Sequence, residues 1–303
     1  MKEARVIAGT DERARVAGGT PSPARRLGGA LRLLHPFPSL MNALATLLFA
    51  ALASGGAPGW DAGARLAGTI FASQAALGIA NDWADRDLDR ATKPWKPLVA
   101  GLVPPGAALA LLAAALLAAG VGAASFGPAS LLLVALGTGI GLAYDLWLKR
   151  TALSWLPYLL AIPLEPLWVW TALGRFTPRL LWLYPLGAAL LLALHLANAL
   201  ADLEGDTAAG VGGLVQRLGR RRAEATLWLA ALLPAAVATL IGLVVPYRWG
   251  RFWPGLALAL LPTLIAMAVA RRRRGREEVY RVVFGLLIAS TILLAVAWLG
   301  AAV

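Results

Sequence analysis

Long apolar runs alternate along this chain with short polar or Gly/Pro-rich breaks. From about residue 37 onward, each run is close to the roughly 17–25 residues that an α-helix needs to cross the hydrocarbon core of a bilayer. The breaks contain turn formers such as Gly55-Gly56 and Gly127-Pro128. The pattern predicts nine transmembrane helices, at about 37–54, 65–83, 105–125, 128–147, 153–172, 179–200, 224–245, 253–270 and 280–302.

The composition favours a membrane protein over a soluble one. Apolar residues make up 59% of the chain and charged residues 15%, and the mean hydropathy is +0.69. Soluble domains average roughly 45–50% apolar and 25% charged residues. A soluble fold would need a polar surface that this sequence cannot supply, so we predict an all-α integral membrane protein. The sequence contains no cysteine, which excludes disulfides and thiolate metal sites.

The chain has a net charge of +12, and its basic residues are unevenly distributed between the two predicted sides of the membrane. If the N-terminus is cytoplasmic, the predicted cytoplasmic segments hold 23 Lys and Arg residues and the opposite segments hold five. Cytoplasmic loops carry such an excess in membrane proteins. The count predicts a multi-pass protein of the plasma membrane with its N-terminus inside, in contact with membrane lipids. It explains the basic charge without a nucleic-acid partner, and the sequence indicates no obligate protein partner.

Two parts of the chain differ in character. Residues 1–32 are rich in Arg, Ala and Gly and contain no apolar segment of their own, which predicts a flexible basic cytoplasmic tail rather than a cleaved signal peptide. Residues 33–303 are predicted to form one polytopic domain.

Acidic residues concentrate at the end of the second predicted span. Asn81, Asp85 and Asp89 are spaced four residues apart. They fall within an arc of about 80° if the helix continues through them. Asp82 lies at the edge of this stripe, and Asp87 points to the far side, where we expect it to be solvated. We call the segment 81–89 the first cluster.

The sixth predicted span ends in a second cluster with the same spacing, formed by Asn198, Asp202 and Asp206. The two clusters are 117 residues apart, which suggests a repeat of two four-helix units followed by a ninth helix. Carboxylates at a membrane boundary are costly unless they are paired or bind a metal. Mg²⁺ takes oxygen ligands and often binds one or two carboxylates together with substrate phosphates. Two facing clusters therefore predict a magnesium and diphosphate site.

Basic residues accompany the clusters on the same side of the membrane. Arg90 and Lys93 follow the first cluster, and Lys149 and Arg150 follow the fourth span. Such cations bind phosphate oxygens well. Anchoring of the cytoplasmic loops is the alternative for each of them, and we favour a functional role most for Lys149.

The two motifs, Asn81-x-x-x-Asp85-x-x-x-Asp89 and Asp202-Leu-Glu-Gly-Asp206, resemble the signatures of the UbiA superfamily of intramembrane prenyltransferases. The segments Asp89-Arg90 to Lys96-Pro97 and Tyr144 to Arg150 agree with that family as well. The resemblance covers about residues 30–303. The sequence departs from the family at two places. His35-Pro36 stands where the family commonly has Arg-Pro, and Arg32 lies about one turn earlier. Tyr144-Asp145 stands where the family commonly has Tyr-Ser.

The resemblance implies a bundle of nine helices around a central cavity with a lateral opening for a lipid tail. Tyr144 would lie near the reacting carbon or the diphosphate. Our own candidates for the carboxylate that accepts the released proton are Asp85 and Asp145. The predicted diphosphate-binding residues are Lys149, Arg150, Arg90, Lys93 and Arg32. The predicted Mg²⁺ ligands are Asn81, Asp82, Asp85, Asp89, Asn198, Asp202 and Asp206.

We therefore predict Mg²⁺-dependent transfer of an isoprenoid chain from a prenyl diphosphate to a lipid-soluble or amphipathic acceptor, first of all an aromatic or quinone precursor. Phosphosugar, glycerol-phosphate and tetrapyrrole acceptors stay open, as does a terpene cyclase. A cation transporter is the alternative from another class. It is disfavoured because the acids sit at one face and are accompanied by cations. For His35, capping or hydrogen bonding at the helix entrance and a role in the site are both open. For His195 we favour a buried, hydrogen-bonded histidine.

Overall fold

The computed structural model describes residues 21–208, 210–272 and 278–303, and this part of the chain is all-α without β-strands. The predicted fold class is confirmed. The helices are α1 (Pro23–Leu33), α2 (Pro36–Ser54), α3 (Trp60–Ala84), α4 (Arg86–Thr92), α5 (Pro105–Ala124), α6 (Pro128–Leu146), α7 (Leu156–Ala161), α8 (Leu164–Ala172), α9 (Leu183–Leu200), α10 (Leu203–Ala208), α11 (Leu214–Leu218), α12 (Arg220–Ile241), α13 (Trp249–Arg272) and α14 (Glu278–Ala302), with 3₁₀ turns at Leu148–Arg150 and Pro178–Trp182.

Local sequence explains where several long helices begin and end. Pro36, Pro105 and Pro128 occupy the first turns of α2, α5 and α6, where a missing N–H costs no hydrogen bond. Gly55 ends α2 with φ of 70°, a left-handed conformation that glycine adopts without strain. These signals coincide with the breaks between the apolar runs, so the predicted boundaries agree with the observed ones to within a few residues.

Among the described residues, seven helices are long and apolar enough to cross a membrane: α2, α5, α6, α9 with its preceding 3₁₀ turn, α12, α13 and α14. Helix α3 has the required length of 25 residues, but it is more polar because it includes Arg65, Gln74 and the start of the first cluster. The predicted count of nine spans therefore stays a prediction.

The fifth predicted span, 153–172, is not one continuous helix. Helix α7 ends at Ala161 and α8 begins at Leu164. Pro163 lies at the break, where its ring and its missing N–H interrupt a helix. The prediction of a single helix was wrong because apolar character was weighed without this proline.

Helix α9 lies at the centre of the bundle. Within its most apolar stretch 56% of the residues are buried, compared with 17% in the most apolar stretch of α5. Helix α5 therefore presents most of its surface outward, towards lipid in a membrane, whereas α9 is enclosed by protein. The second cluster follows α9 directly, so its position is fixed by the best-packed helix of the fold.

Part of the predicted N-terminal tail is helical. In α1, Leu33 is buried and packs with Val103, while Leu27 and Leu31 are 64% and 54% exposed. The helix thus holds one edge against the protein and leaves apolar side chains outside it. Residues 1–20 lie outside the described residues, so a flexible tail stays a prediction for them.

Candidate active site

The first cluster lies where α3 gives way to α4. Helix α3 ends one residue before Asp85, so the continuous helix assumed from the spacing is interrupted there. The Asp85 N–H nevertheless donates to the Asn81 carbonyl at 2.9 Å, and the Asp89 N–H donates to the Asp85 carbonyl at 2.8 Å. These bonds keep the helical spacing across the interruption.

Lys149 joins the first cluster to the end of α6. Its Nζ donates to Oδ2 of Asp85 at 2.6 Å and to Oδ1 of Asn81 at 3.0 Å. Arg150 reaches Oδ1 of Asp85 at 3.6 Å. Because Lys149 is only 15% exposed, two cations meet one carboxylate at a partly enclosed position. The predicted functional Lys149 is therefore placed inside the cluster.

Asp82 and Asp89 share a different cation, Lys96. Its Nζ lies 2.8 Å from Asp82 and 2.6 Å from Asp89, and the two carboxylates are 2% and 3% exposed. Burial lowers the pKa of Lys96, but the bonds and charges of the two aspartates outweigh it, so the pKa is raised overall. The sequence analysis placed Asp82 among the metal ligands. In the structure Asp82 is buried in contact with Lys96 and His35, and Asp89 shares the contact with Lys96.

His35 connects the start of α2 to the first cluster. Its backbone has φ of 48° and ψ of 58°, which is unusual for a residue other than glycine. Its Nε2 lies 3.3 Å from Oδ1 of Asp82, and its ring lies over Gly78 of α3. The side chain makes no capping hydrogen bond to α2, and its ring contacts a residue of the first cluster at the entrance of that helix.

Gly78→Ala should destabilise the protein by about 1–3 kcal/mol, because an added Cβ would lie 2.6 Å from the His35 ring. The matched control is Gly68→Ala in the same helix, where nothing lies within 4 Å of the added atom. Alanine is favoured over glycine inside helices by about 1 kcal/mol, so the control should be neutral or stabilising. Thermal unfolding in detergent measures both. Equal shifts would contradict the packing of His35 on α3.

The second cluster has the same local form, since α9 is followed directly by the short helix α10. The Asn198 amide donates to the Tyr158 hydroxyl at 3.1 Å. Asp202 contacts Lys93 at 3.6 Å and Arg281 at 3.4 Å. Burial raises the pKa of Asp206 to about 6, and the nearby charge of Asp202 adds to that rise.

The two clusters lie next to each other in the structure. Lys93, which follows the first cluster, forms an ion pair with Asp202 of the second. The carboxylate of Asp85 also contributes to the raised pKa of Asp206, as expected for charges held close together. The tertiary structure thus brings together residues that are more than 100 positions apart.

An aromatic group lies beside the second cluster, where Tyr158 contacts Asn198. Tyr144 and Tyr158 pack edge to face with ring centroids 5.6 Å apart, and Tyr158 packs in the same way on His195 at 5.2 Å. Asp145 is buried beside Tyr144. Nε2 of His195 shares a hydrogen bond with Ser154 at 3.0 Å, while its Nδ1 has no partner among the described residues. His195 is buried as predicted, but only half of its hydrogen-bonding capacity is used.

Two polar residues were missed in the sequence analysis. Tyr158, which holds Asn198, gave no pattern signal in its apolar run. Glu165 near the break between α7 and α8 accepts a 2.7 Å bond from the buried Thr46 hydroxyl. A lone carboxylate within a predicted span is itself a signal of function, and it was passed over.

The structure does not bring every predicted cation to the clusters. Arg90 is 72% exposed and lies 3.3 Å from Asp87, which is 67% exposed. Asp87 is thus solvated, as expected, and Arg90 points with it away from the site. Arg32 lies exposed on α1. A helical spacing of three residues pairs Arg90 with Asp87, which explains why it leaves the stripe of Asp85 and Asp89.

The donor chemistry of the clusters fits magnesium. Carboxylate and amide oxygens lie at or next to the ends of α3, α4, α9 and α10, and these are the ligand atoms that Mg²⁺ prefers. Among the described residues, no group of three or more acidic or histidine side chains is arranged to hold an ion. Lysine side chains contact the carboxylates of both clusters. Since Mg²⁺ commonly needs only one or two carboxylates beside phosphate and water, the residues fit a cation that arrives with a diphosphate.

Comparison with known proteins identifies the family. A digeranylgeranylglyceryl phosphate synthase from Hyperthermus butylicus is 31% identical over 82% of this chain and 86% of that protein. A 4-hydroxybenzoate octaprenyltransferase from Vibrio parahaemolyticus is 24% identical over 88% and 95%. The structure of a UbiA homolog from Archaeoglobus fulgidus bound to GPP and Mg²⁺ has the same fold, with a TM-score of 0.68, 19% identity, and coverage of 89% of this chain and 98% of that one.

The family profile described as the UbiA prenyltransferase family matches residues 42–291, which include both clusters. Together with the seven helices that can span a bilayer in the described part of the chain, this match makes the protein an integral membrane prenyltransferase. The resemblance first seen in the two motifs is confirmed: the chain belongs to the UbiA prenyltransferase family.

Proposed function

We propose that the two clusters form one Mg²⁺-dependent site that transfers an isoprenoid chain from a prenyl diphosphate to a lipid acceptor. The observation that carries this proposal is the ion pair that links the two clusters, in which Nζ of Lys93 lies 3.6 Å from Oδ2 of Asp202. In the first cluster, Nζ of Lys149 lies 2.6 Å from Oδ2 of Asp85. Carboxylates and lysines therefore lie side by side. The carboxylates suit a divalent cation, and the lysines suit a polyanion such as diphosphate. The A. fulgidus homolog binds GPP and Mg²⁺ in its known structure, which supports the donor class.

The roles follow from position and charge. Lys149, Arg150 and Lys93 would turn from their carboxylates to the oxygens of an incoming diphosphate. Magnesium, when bound, would neutralise the leaving diphosphate and favour cleavage of its bond to the allylic carbon. The ligands would come from Asn81, Asp85, Asp89, Asn198, Asp202 and Asp206.

The aromatic group would act on the other side of the same bond. Tyr144 and Tyr158 would line the path of the allylic carbon, and the surrounding helices would keep water from capturing it. The acceptor oxygen or carbon then forms the new bond to that carbon as the bond to diphosphate breaks. The acceptor proton leaves to a carboxylate, for which Asp85 and Asp145 are the candidates.

For the acceptor we propose a glyceryl phosphate lipid carrying one geranylgeranyl chain. The sequence analysis ranked aromatic or quinone precursors first. The H. butylicus relative, at 31% identity, is named a digeranylgeranylglyceryl phosphate synthase, whereas the V. parahaemolyticus relative with an aromatic substrate in its name is 24% identical. The second candidate is therefore 4-hydroxybenzoate.

We also propose that both clusters face the cytoplasm. The support is the 23-to-5 distribution of Lys and Arg between alternate loops. A water-soluble or amphipathic diphosphate made in the cytoplasm would then reach the site without crossing the bilayer.

The test uses the full chain in nanodiscs with geranylgeranyl diphosphate and either acceptor, with product mass and diphosphate release as readouts. We expect Mg²⁺-dependent product with the glyceryl phosphate lipid and loss of activity on chelation by EDTA. Product with 4-hydroxybenzoate alone would overturn the acceptor assignment. Diphosphate release without any acceptor would indicate a cyclase, and no release under any condition would overturn the transferase site itself.

A further inference from the structure

The turn that carries Lys149 lies directly against the loop that follows the second cluster. An added Cβ on Gly213 would lie 3.0 Å from the Lys149 carbonyl oxygen, and one on Gly212 would lie 3.4 Å from that of Arg150. Glycine allows two backbones to approach so closely because it has no side chain. The position of the Lys149 backbone is therefore coupled to a segment that begins a few residues after Asp206.

The Ser154 hydroxyl connects this loop to helix α9. Its Oγ accepts a hydrogen bond from the Leu214 N–H, the first of α11, at 3.2 Å, and shares one with Nε2 of His195 in α9 at 3.0 Å. The Ser154 N–H donates to the Thr151 carbonyl at 3.2 Å, and the Thr151 N–H donates to the Leu148 carbonyl at 3.0 Å. Ser154 is thereby tied back to the preceding 3₁₀ turn. Ser154 and His195 are both almost fully buried, so water does not compete for the bond between them.

The hydrogen bonds of Ser154 determine how His195 takes part. The hydroxyl has a single proton, and its oxygen already accepts from the Leu214 N–H, so Nε2 of His195 is the acceptor for that proton among the described residues. The ring then carries its own proton on Nδ1, which is buried without a partner in the same part of the chain. An unpaired buried donor costs about 1–3 kcal/mol. A leucine could fill the position without that cost, so the bond to Ser154, rather than packing, explains the histidine.

Helix α9, which holds His195, also carries the second cluster. His195 lies about one turn before Asn198, whose amide donates to the Tyr158 hydroxyl at 3.1 Å. The Tyr158 ring packs on the ring of His195 with centroids 5.2 Å apart. The link from His195 through Ser154 thus holds the turn of Lys149 against the helix that ends in the second cluster.

The placement of Lys149 matters for a diphosphate bound by both clusters. Its Nζ donates to Oδ2 of Asp85 at 2.6 Å, and it can turn only to a diphosphate oxygen within reach of the same backbone position. Misplacing a binding group by about 1 Å can lower the rate of an enzyme about 10²-fold. We propose that Ser154 and His195 are positioning residues that hold the turn of Lys149 at a fixed distance from the second cluster, so that its amine binds the diphosphate, a role that rests on the proposed function.

The main variant is Ser154→Ala, which removes the shared hydroxyl. The full chain in nanodiscs is assayed with Mg²⁺, geranylgeranyl diphosphate and the acceptor that the wild type uses. We expect kcat/KM for geranylgeranyl diphosphate to fall between about tenfold and a hundredfold, while KM for the acceptor stays within a few-fold of the wild type. His195→Leu should have the same effect. His195→Gln should keep most of the activity, because its Oε1 can accept the Ser154 proton.

A second variant tests the same coupling from the loop. Gly213→Ala leaves Ser154 and His195 intact, but its Cβ would press on the Lys149 carbonyl oxygen, 3.0 Å away. We expect a similar fall in kcat/KM for geranylgeranyl diphosphate. Wild-type kinetics in this variant would overturn the coupling between the loop and the turn.

The matched control is Ser290→Ala in α14. Ser290 is also buried and also makes two hydrogen bonds through its hydroxyl, one shared with the Thr263 hydroxyl and one donated to the Ala259 carbonyl, both at 2.8 Å. These bonds join α13 to α14 and not the two clusters. Both serine variants should unfold at temperatures a few degrees below the wild type, but only Ser154→Ala should lower kcat/KM. Equal losses of kcat/KM would overturn the positioning role in favour of a general effect of stability.

Combination with Lys149→Met shows whether Ser154 acts through Lys149. We expect Lys149→Met alone to lower kcat/KM strongly and Ser154→Ala to add little to that loss, because changes that act through one group are not additive. A full additional loss in the double variant would overturn the positioning role. A large loss in Lys149→Met with wild-type kinetics in Ser154→Ala would overturn the positioning role and leave the proposed function intact. Wild-type kinetics in Lys149→Met would contradict both.

Discussion

We expect Asp85→Asn and Asp202→Asn each to lower the rate of Mg²⁺-dependent prenyl transfer by a factor on the order of 10³, the range seen when one preorganised electrostatic group is lost from an active site. Asparagine keeps the shape of the side chain and removes its charge. Asp85 holds Lys149 at 2.6 Å and Arg150 at 3.6 Å, and Asp202 contacts Lys93 at 3.6 Å. Each change therefore removes one proposed ligand of Mg²⁺. It also alters the contacts of the lysine and arginine side chains that are proposed to bind the diphosphate.

Asp87→Asn is the matched control for this experiment. Asp87 belongs to the same acidic segment, but it is 67% exposed and pairs with Arg90 at 3.3 Å. We expect this variant to keep activity close to that of the wild type. The measurement is diphosphate release against Mg²⁺ concentration, together with binding of Mn²⁺ followed by its paramagnetic signal. Near-normal transfer in both Asp85→Asn and Asp202→Asn, or an equal loss in Asp87→Asn, would contradict the site assignment.

Lys96→Met should have the largest effect on stability, about 3–5 kcal/mol, because it breaks a buried ion pair by removing one partner. Lys96 is 16% exposed and lies within 2.8 Å of two carboxylates that are 2% and 3% exposed. Without it, Asp82 keeps His35 at 3.3 Å, whereas Asp89 loses its close cation. Methionine matches the length of lysine, so the change removes charge more than volume.

The control is Arg90→Met, which breaks the exposed pair with Asp87 and should cost under about 1 kcal/mol. Unfolding by heat in detergent, with and without millimolar Mg²⁺, measures both variants. We expect Mg²⁺ to restore part of the stability of Lys96→Met, because a cation that binds only the folded state stabilises it. If Lys96→Met unfolds at the same temperature as Arg90→Met, the proposed role of Lys96 as counter-charge is wrong. If Mg²⁺ restores none of the stability of Lys96→Met, Asp89 is not a ligand of Mg²⁺.

Much of the candidate site was predictable because its signals are local. Four-residue spacing placed Asp85 and Asp89 on one stripe, and the same spacing at Asp202 and Asp206 indicated a paired site. Asp87 was correctly assigned to solvent for the same reason. The assignment of Asp82 and Asp89 to the metal stays a prediction, and their spacing did not show that Lys96 contacts both carboxylates or that His35 also contacts Asp82.

The sequence by itself determined the membrane character, the all-α fold, the family and the identity of the clusters. Those properties depend on hydrophobic length and short-range spacing, which a linear pattern records. The tertiary structure alone decided the partners. Lys149 meets Asp85 across 64 residues, Thr46 meets Glu165 across 119, and Arg179 meets the end of α14 across 123. Such contacts arise because buried polar groups must be paired when helices pack. The local spacing of residues does not determine which helices pack against each other.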